Sequence, residues 1–228
     1  MLIRARHIVA ALAAGILIFQ VAGCKTTGTE RAARASESLA ALQAEIQKTS
    51  DQLGVSVTAL DDLVKNPNPD LKPQFDTFSK AMEVLEAQIA ATRSRSEAMK
   101  ARGKEYFTAW EEDSKALSSQ EMREYSMERR SQLNATYDTI KAEVQSVGEL
   151  GKPLMDALRD TRRVLSMDLT PAGLDLAKGP AEKATASAAE LRTEIEKLQK
   201  DLDGVAKLLA PPKAATPTAE SPKAEPPK

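Results

Sequence analysis

The segment from Phe75 to Trp110 carries a heptad pattern that constrains the fold more than any other feature of the sequence. Apolar or small residues recur there at strictly alternating steps of three and four residues. That spacing keeps them on one face of an α-helix and is the a/d register of helices that pack against other helices. The pattern predicts a single helix of about five heptads. The stripe consists of Phe75, Phe78, Met82, Leu85, Ile89, Thr92, Ser96, Met99, Gly103, Tyr106 and Trp110.

Three further segments carry stripes with the same periodicity. Short connections place consecutive helices side by side in antiparallel order, so we predict an all-α fold, an elongated antiparallel bundle or coiled coil of about four helices. Helices of about 40 residues would be about 60 Å long, which makes the bundle a rod. The three stripes are Leu39, Leu42, Ile46, Leu53, Leu60 and Leu63; Leu133, Tyr137, Ile140, Val144, Val147, Gly151, Leu154, Leu158 and Leu165; and Leu191, Ile195, Leu198, Leu202, Val205 and Leu209.

Turn and capping residues mark the expected ends of the first three helices. The first helix should end before Asn66–Asp70, which contains two prolines and two asparagines. Asp70 is a predicted N-cap of the second helix. Ser118, with Glu121 three residues later, fits a capping box that begins the third helix.

Prolines predict two interruptions in the second half of the chain. Pro153 lies inside the third stripe, where the missing N–H and the ring predict a kink or a one-residue break. Thr170-Pro171 is typical of an N-cap followed by proline at the first helical position, and it should open a short helical turn. Gly179-Pro180 is expected to end that turn and begin the last helix.

The residue inventory excludes several kinds of chemistry. The only histidine is His7 and the only cysteine is Cys24. A body that starts after Cys24 therefore has no His-based acid–base pair, no Cys–His nucleophile and no His/Cys metal site, and we predict no catalytic residue, no metal site and no cofactor. The formal net charge is −1, without the basic excess that a nucleic-acid partner normally requires.

The N-terminus has the three parts of a secretory signal peptide. Arg4 and Arg6 supply a positive region, and an apolar run from Ile8 to Val21 follows. That run has about 14 residues, fewer than the roughly 20 that a membrane-spanning helix needs. We predict that residues 1–23 are the signal peptide.

The sequence Val21-Ala22-Gly23-Cys24 ends this segment and resembles the bacterial lipobox. The resemblance implies cleavage between Gly23 and Cys24 and attachment of acyl chains to Cys24, which would hold the mature chain at a membrane. Lys25 is not the aspartate that the resemblance associates with inner-membrane retention, so the expected location is the outer membrane, facing the periplasm. An uncleaved anchor is the alternative interpretation.

The remaining divisions follow from composition. Residues 24–29 are predicted to be a lipidated tether and residues 30–210 the helical bundle domain. Residues 211–228 contain six of the chain's 12 prolines and otherwise mostly Ala, Lys, Glu, Ser and Thr. We predict a disordered tail there, because such a segment has too little apolar surface to form a core.

The stretch from Tyr106 to Leu176 resembles an uncharacterised family of bacterial helical lipoproteins of unknown function. The features that carry the resemblance are Trp110-Glu111, the stripe containing Tyr137, Pro153-Leu154, and the region from Leu165 to Leu176. With its flanking helices, the resemblance covers most of residues 30–205. It implies a helical, coiled-coil-rich fold and supplies no activity, ligand or catalytic residue.

Three aromatic residues are candidates for an interaction surface. Tyr106, Phe107 and Trp110 lie together near the end of the second helix, and Tyr and Trp are favoured anchors at protein interfaces. The alternative is that they close the end of a thin core, because Tyr106 and Trp110 both lie on the a/d stripe.

These features predict a lipid-anchored, non-enzymatic module of the bacterial envelope that binds another envelope protein or self-associates. The alternative is a small-molecule or lipid carrier. The small residues Thr92, Ser96 and Gly103 would then line a groove between helices. A solid seam at these positions would argue against a carrier.

Overall fold

The computed structural model describes residues 26–210, which form four long α-helices. They are α1 (Gly28–Lys65), α2 (Lys72–Lys115), α3 (Gln120–Met167) and α4 (Pro171–Leu209). Within the described residues α1 packs on α2 and α4, and α3 packs on the same two helices, whereas the backbones of α1 and α3 do not come close to each other, nor do those of α2 and α4. This ring of consecutive helices confirms the predicted all-α antiparallel four-helix bundle.

The start of α1 is fixed by a complete capping box. The Thr27 hydroxyl accepts a hydrogen bond from the Glu30 N–H at 3.2 Å, and the Glu30 carboxylate accepts one from the Thr27 N–H at 2.7 Å. Two orphan donors of the first turn are thereby satisfied. Hydrogen bonding of the Glu30 carboxylate to the Thr27 N–H, and then to the Thr27 side chain, lowers the pKa of Glu30. The helix begins inside the segment predicted to be a tether, so only Lys25, Thr26 and Thr27 separate Cys24 from Gly28.

Capping at the other helix starts matches the sequence to within one residue. Thr170 caps α4 by accepting from the Gly173 N–H, and Pro171 is the first helical residue, as predicted. The N-cap of α3 is Ser119, whose hydroxyl accepts from the Met122 N–H at 3.3 Å. The prediction of Ser118 was wrong by one position, because either of two adjacent serines suits an N-cap.

The loop between α1 and α2 is held by one buried side chain that the sequence analysis missed. The Gln74 amide nitrogen donates to the Asp62 carboxylate at 2.8 Å and to the Asn66 carbonyl at 3.0 Å. The Gln74 amide oxygen accepts from the Asn68 N–H at 2.9 Å. Asp70 accepts from the Lys72 N–H at 3.0 Å, although the N-cap position itself is Leu71. These bonds satisfy the backbone where the chain reverses.

Both interior prolines lie within unbroken helices. α3 continues through Pro153, and α4 continues from Pro171 through Pro180. The predicted end of a helix at Gly179-Pro180 is therefore wrong, and of the kink or one-residue break predicted at Pro153 the break does not occur. Each proline is on the solvent face, where water can bond the carbonyl that lacks its partner, while adjacent residues such as Leu154 and Ala181 are buried. Burial of these neighbours offsets the missing backbone hydrogen bond.

The core consists of two apolar clusters with a more polar section between them. One lies towards the start of α1 and includes Leu39, Met99 and Leu202, and the other lies towards the α1–α2 loop and includes Leu60, Met82 and Leu158. Between them the Thr49 and Thr92 hydroxyls are 2.8 Å apart and hydrogen-bonded. On α3 no residue between 140 and 154 is fully buried. The middle of α3 therefore contributes least to the core.

Gly103 lets α3 approach α2 closely. The ring of Tyr137 lies over it, so that a Cβ at position 103 would lie 2.3 Å from Tyr137 Cε1. The Tyr137 hydroxyl donates to the Met99 carbonyl at 2.5 Å, and burial raises the pKa of Tyr137 well above its usual value. The Tyr137 ring therefore occupies the space that the small residue at position 103 provides.

This contact predicts opposite effects for two Gly→Ala substitutions in helix interiors. Gly103→Ala should lower the free energy of unfolding by about 1–3 kcal/mol, because the new methyl group overpacks the core against Tyr137. Gly148→Ala, which meets no atom within 4 Å, should raise it by about 0.5–1 kcal/mol through helix propensity. Urea unfolding of both variants, made in a chain that begins at Lys25, measures the difference. A stabilising Gly103→Ala would contradict the described packing.

Candidate functional site at the N-terminal end of the bundle

The antiparallel order brings four helix termini to one end of the rod. Here α1 and α3 begin and α2 and α4 end, and we call this the N-terminal end; the opposite one, with the α1–α2 and α3–α4 loops, is the distal end. Arg31 of α1 forms an ion pair with Asp113 of α2. The Ser36 hydroxyl donates to the Ala206 carbonyl of α4 at 2.9 Å. Thr26 and Ala210, the first and last described residues, therefore lie at the same end of the bundle, while the predicted signal peptide, Cys24 and the predicted tail lie outside the described residues.

The three predicted aromatic residues come together here, but two of them are inside the core. Tyr106 and Phe107 are buried, and Trp110 is half-buried. The Tyr106 and Trp110 ring centroids are 5.5 Å apart, and Phe107 meets Tyr137 edge-on at 5.6 Å. Burial also raises the pKa of Tyr106. The rings of Tyr106 and Phe107 are thus part of the apolar core, where Phe107 packs α2 against α3, and they do not form an exposed surface.

Trp110 is fixed by a small hydrogen-bond network that links α2 to α3. Its indole N–H donates to the Ser126 hydroxyl at 2.9 Å. The Ser114 and Ser126 hydroxyls are 2.7 Å apart, and Ser114 also donates to the Trp110 carbonyl at 2.8 Å. The spacing of the apolar stripe could not reveal this network, because it does not show which residues of α3 face α2.

A cleft of about 310 Å³ opens beside Trp110. The two serine hydroxyls in its wall are bonded to each other and to Trp110, and the Arg31 guanidinium is paired with Asp113. With no imidazole or thiol in residues 26–210, this wall offers packing surface and hydrogen bonds but no evident nucleophile–base pair. The lining residues are Gly28, Arg31, Tyr106, Trp110, Asp113, Ser114, Leu117 and Ser126.

Basic residues of α3 are engaged with neighbouring helices. Arg130 donates to the Phe107 carbonyl at 2.8 Å and to the Glu111 carboxylate at 2.6 Å. Glu111 also pairs with Lys115 at 2.8 Å, and the hydrogen bond from Lys115 and the charges of Lys115 and Arg130 lower the pKa of Glu111. Arg159 similarly pairs with Glu86 of α2 at 2.7 Å. Arg130 and Arg159 therefore help to join α2 to α3.

Large apolar side chains are exposed at both ends of the rod. Met122 and Tyr125, on the first two turns of α3, are 62% and 75% exposed. At the distal end, Met167 and Leu176 are 74% and 70% exposed. A second cleft, of about 430 Å³, lies at the distal end between the start of α4 and the end of α1.

One carboxyl group in the middle of the rod is poorly solvated. Glu143 of α3 has a buried Oε2 with no hydrogen-bond partner. Burial raises the pKa of Glu143, and the charges of Asp201 and Glu194 on α4 raise it further, whereas Lys197 opposes them. Across residues 26–210 no group of three or more acidic side chains is arranged to hold a metal ion, and no helix there is long and apolar enough to cross a bilayer.

The four long antiparallel helices define the class of this protein, an elongated four-helix bundle. Residues 25–209 match the family described as "Protein of unknown function (DUF2959)", and the chain belongs to that family. The match confirms the resemblance to an uncharacterised family. No curated protein and no solved structure is significantly similar to the chain.

The Trp110 network predicts a measurable cost for removing one hydroxyl. Ser126→Ala leaves the Trp110 indole without its acceptor and should lower the free energy of unfolding by about 1 kcal/mol. Ser131→Ala, at an exposed position of the same helix, should be neutral or slightly stabilising. Urea titrations followed by the fluorescence of Trp110, the only tryptophan, compare the two variants. Equal stability would argue against a contribution from the network.

The raised pKa of Glu143 predicts a pH-dependent effect of its removal. The folded state favours the protonated carboxyl group, so ionisation of Glu143 destabilises the fold above its raised pKa. Glu143→Gln should therefore stabilise the protein at pH 7, and the gain should shrink as the pH falls through the raised pKa and vanish below the ordinary value. Thermal unfolding at several pH values tests this, with the exposed Glu196→Gln as a charge-matched control. A gain that is independent of pH would contradict the assignment.

Proposed function

We propose that this chain is a lipid-anchored, non-enzymatic envelope lipoprotein that acts as a structural or protein-interaction module in the periplasm. The observation that carries the proposal is the sequence Val21-Ala22-Gly23-Cys24 after a basic and then an apolar segment. Signal-peptide cleavage before Cys24 and acylation of its thiol would fix the N-terminus to a membrane. With Lys25 next in the chain, the outer membrane is the proposed location.

The family match and the helix boundaries support this division of the chain. The region shared with the family begins at Lys25, the first residue after the proposed lipidated cysteine. The capped start of α1 at Gly28 leaves a very short link between the acyl chains and the bundle. A link of this length suits a rod that is held close to a membrane surface.

The proposed mechanism is positional. The acyl chains hold the N-terminal end, and α2 with 44 residues extends about 66 Å from it at 1.5 Å per residue. A partner that binds along the rod or at its distal end would be kept at a defined distance from the bilayer. No contact among residues 26–210 assigns a reaction to this body, and its lack of histidine and thiol supports a non-enzymatic role.

The carrier alternative gains no support from the residues that suggested it. Thr92 is hydrogen-bonded to Thr49 across the α1–α2 seam. Ser96 is buried, and Gly103 is covered by the Tyr137 ring. These positions are used for close helix packing and do not line an open groove.

A single substitution tests the anchoring. Cys24→Ala removes the thiol that would be acylated, so the variant should fail to incorporate labelled palmitate and should leave the membrane fraction for the soluble fraction. Fractionation of native envelopes, with the wild-type chain as control, measures both effects. If Cys24→Ala stays in the membrane fraction, lipid anchoring is contradicted, and residues 8–22 would instead be an uncleaved anchor.

Crosslinking tests the interaction role separately. A periplasmic partner held by the anchored rod should be crosslinked to the wild-type chain and lost, or strongly reduced, with Cys24→Ala. The captured species, a different protein or a second copy of the chain, distinguishes an adaptor from a self-associating structural element. Capture of neither by the anchored chain would contradict the interaction role and leave the anchoring result intact.

A further inference from the structure

We propose that the N-terminal end of the bundle rests in the interface of a phospholipid bilayer, with Met122 and Tyr125 of α3 as the contacting side chains. This inference rests on the proposed lipid anchoring and deepens it. It assigns to the body of the protein, and not only to the acyl chains, a contact with lipid.

The first argument is the position of these two side chains. They lie three residues apart on α3, so they are neighbours on one helix face, and both are largely exposed. Leu117 lies close to them in sequence, in the loop just before α3, and it is half-buried. This face begins at the same end of the rod as α1.

The second argument is the length of chain between lipid and fold. Gly28 is four residues after Cys24, and an extended chain spans at most about 3.6 Å per residue. The start of α1 is therefore within about 14 Å of the modified cysteine. The polar region of a bilayer leaflet is about 5–8 Å thick, so the end of the rod lies within the headgroup layer or less than about 10 Å beyond it. A surface held this close meets lipid at a high effective concentration.

The third argument is the chemistry of the surface. Tyrosine favours the membrane interface because its ring is apolar and its hydroxyl remains hydrated. The charged residues among the first turns of α3 give no basic excess, and the Arg123 guanidinium donates to the Leu117 carbonyl at 2.9 Å. The occupant that fits is thus the interface of a neutral bilayer, recognised through apolar contact. Attraction to anionic headgroups would need an excess of positive charge. The charged residues of the first turns of α3, counted above, are Glu121, Arg123, Glu124, Glu128 and Arg129.

The distal end provides an internal control. Met167 and Leu176 are as exposed as Met122 and Tyr125, but they lie at the other end of a rod that is about 60 Å long. A membrane at the N-terminal end cannot contact both pairs when the rod is upright or moderately tilted. The proposal therefore predicts lipid contact at position 125 and none at position 176.

The test uses the mature chain with Cys24 coupled through its thiol to a maleimide phospholipid in phosphatidylcholine vesicles that contain brominated acyl chains. A tryptophan is introduced by Tyr125→Trp or by Leu176→Trp, each combined with Trp110→Phe so that it is the only tryptophan. Circular dichroism confirms that both variants are folded. We expect a blue shift of the emission and several-fold stronger quenching by brominated lipid for position 125 than for position 176.

Two results would overturn the proposal. One is equal and weak quenching at both positions while flotation shows that the chains remain coupled to the vesicles. The other is quenching at position 125 that requires anionic lipid and disappears in about 0.5 M salt, which would indicate headgroup electrostatics. Because the chemical coupling replaces natural acylation, either result is independent of whether Cys24 is lipidated in the cell. Failure of the contact would leave the anchoring proposal standing, and failure of the anchoring would not alter this measurement.

Discussion

Burial of apolar stripes between antiparallel helices is the interaction on which the rest of this structure depends. Within residues 26–210 there is no cysteine to form a disulfide, and the core relies on Leu, Ile, Met and Ala with few aromatic rings. Each helix buries one face against two neighbours, so the core is narrow along its whole length. Four of the large rings are grouped towards the N-terminal end, where Phe107 and Tyr137 meet above Gly103, whereas Phe75 and Phe78 belong to the distal cluster. At the N-terminal end the close fit between side chains stabilises the core in addition to the burial of apolar surface.

Because the core is divided into two clusters, the amount of buried apolar surface varies along the rod. The clusters are separated by hydroxyl contacts between Thr49 and Thr92 and by a carboxyl group, Glu143, that lacks a hydrogen-bond partner on one oxygen. Sections with few buried apolar contacts are those that open most readily in folded proteins. The polar middle also favours a single register, because a shift of α1 along α2 would separate the two threonine hydroxyls.

The sequence was sufficient for the helices and their order, but not for the contacts between them. Helical periodicity and short connections predicted the bundle, and Thr170-Pro171 correctly marked a helix start, although the helix it opens is the whole of α4 and not a short turn. The sequence favoured interruptions at Pro153 and Pro180 that the helices do not have, because a local signal does not show that a proline faces water while its neighbours are buried. The pairing of Gly103 with Tyr137, and of Trp110 with Ser126, depends on the relative register of α2 and α3. A single-helix pattern contains no information on that register.

The arrangement of the four helices, each packed against two neighbours, restricts how the length of this protein can change. All four helices run the full height of the rod, and each is in register with two others. An insertion in one helix would displace every side chain beyond it by a fraction of a turn and would misalign it with both neighbours. Only a matched addition at the same level of all four helices, about seven residues in each for roughly 10 Å, preserves the stripes. The height of the bundle is therefore a property of the whole chain, and it resists gradual adjustment through single insertions or deletions.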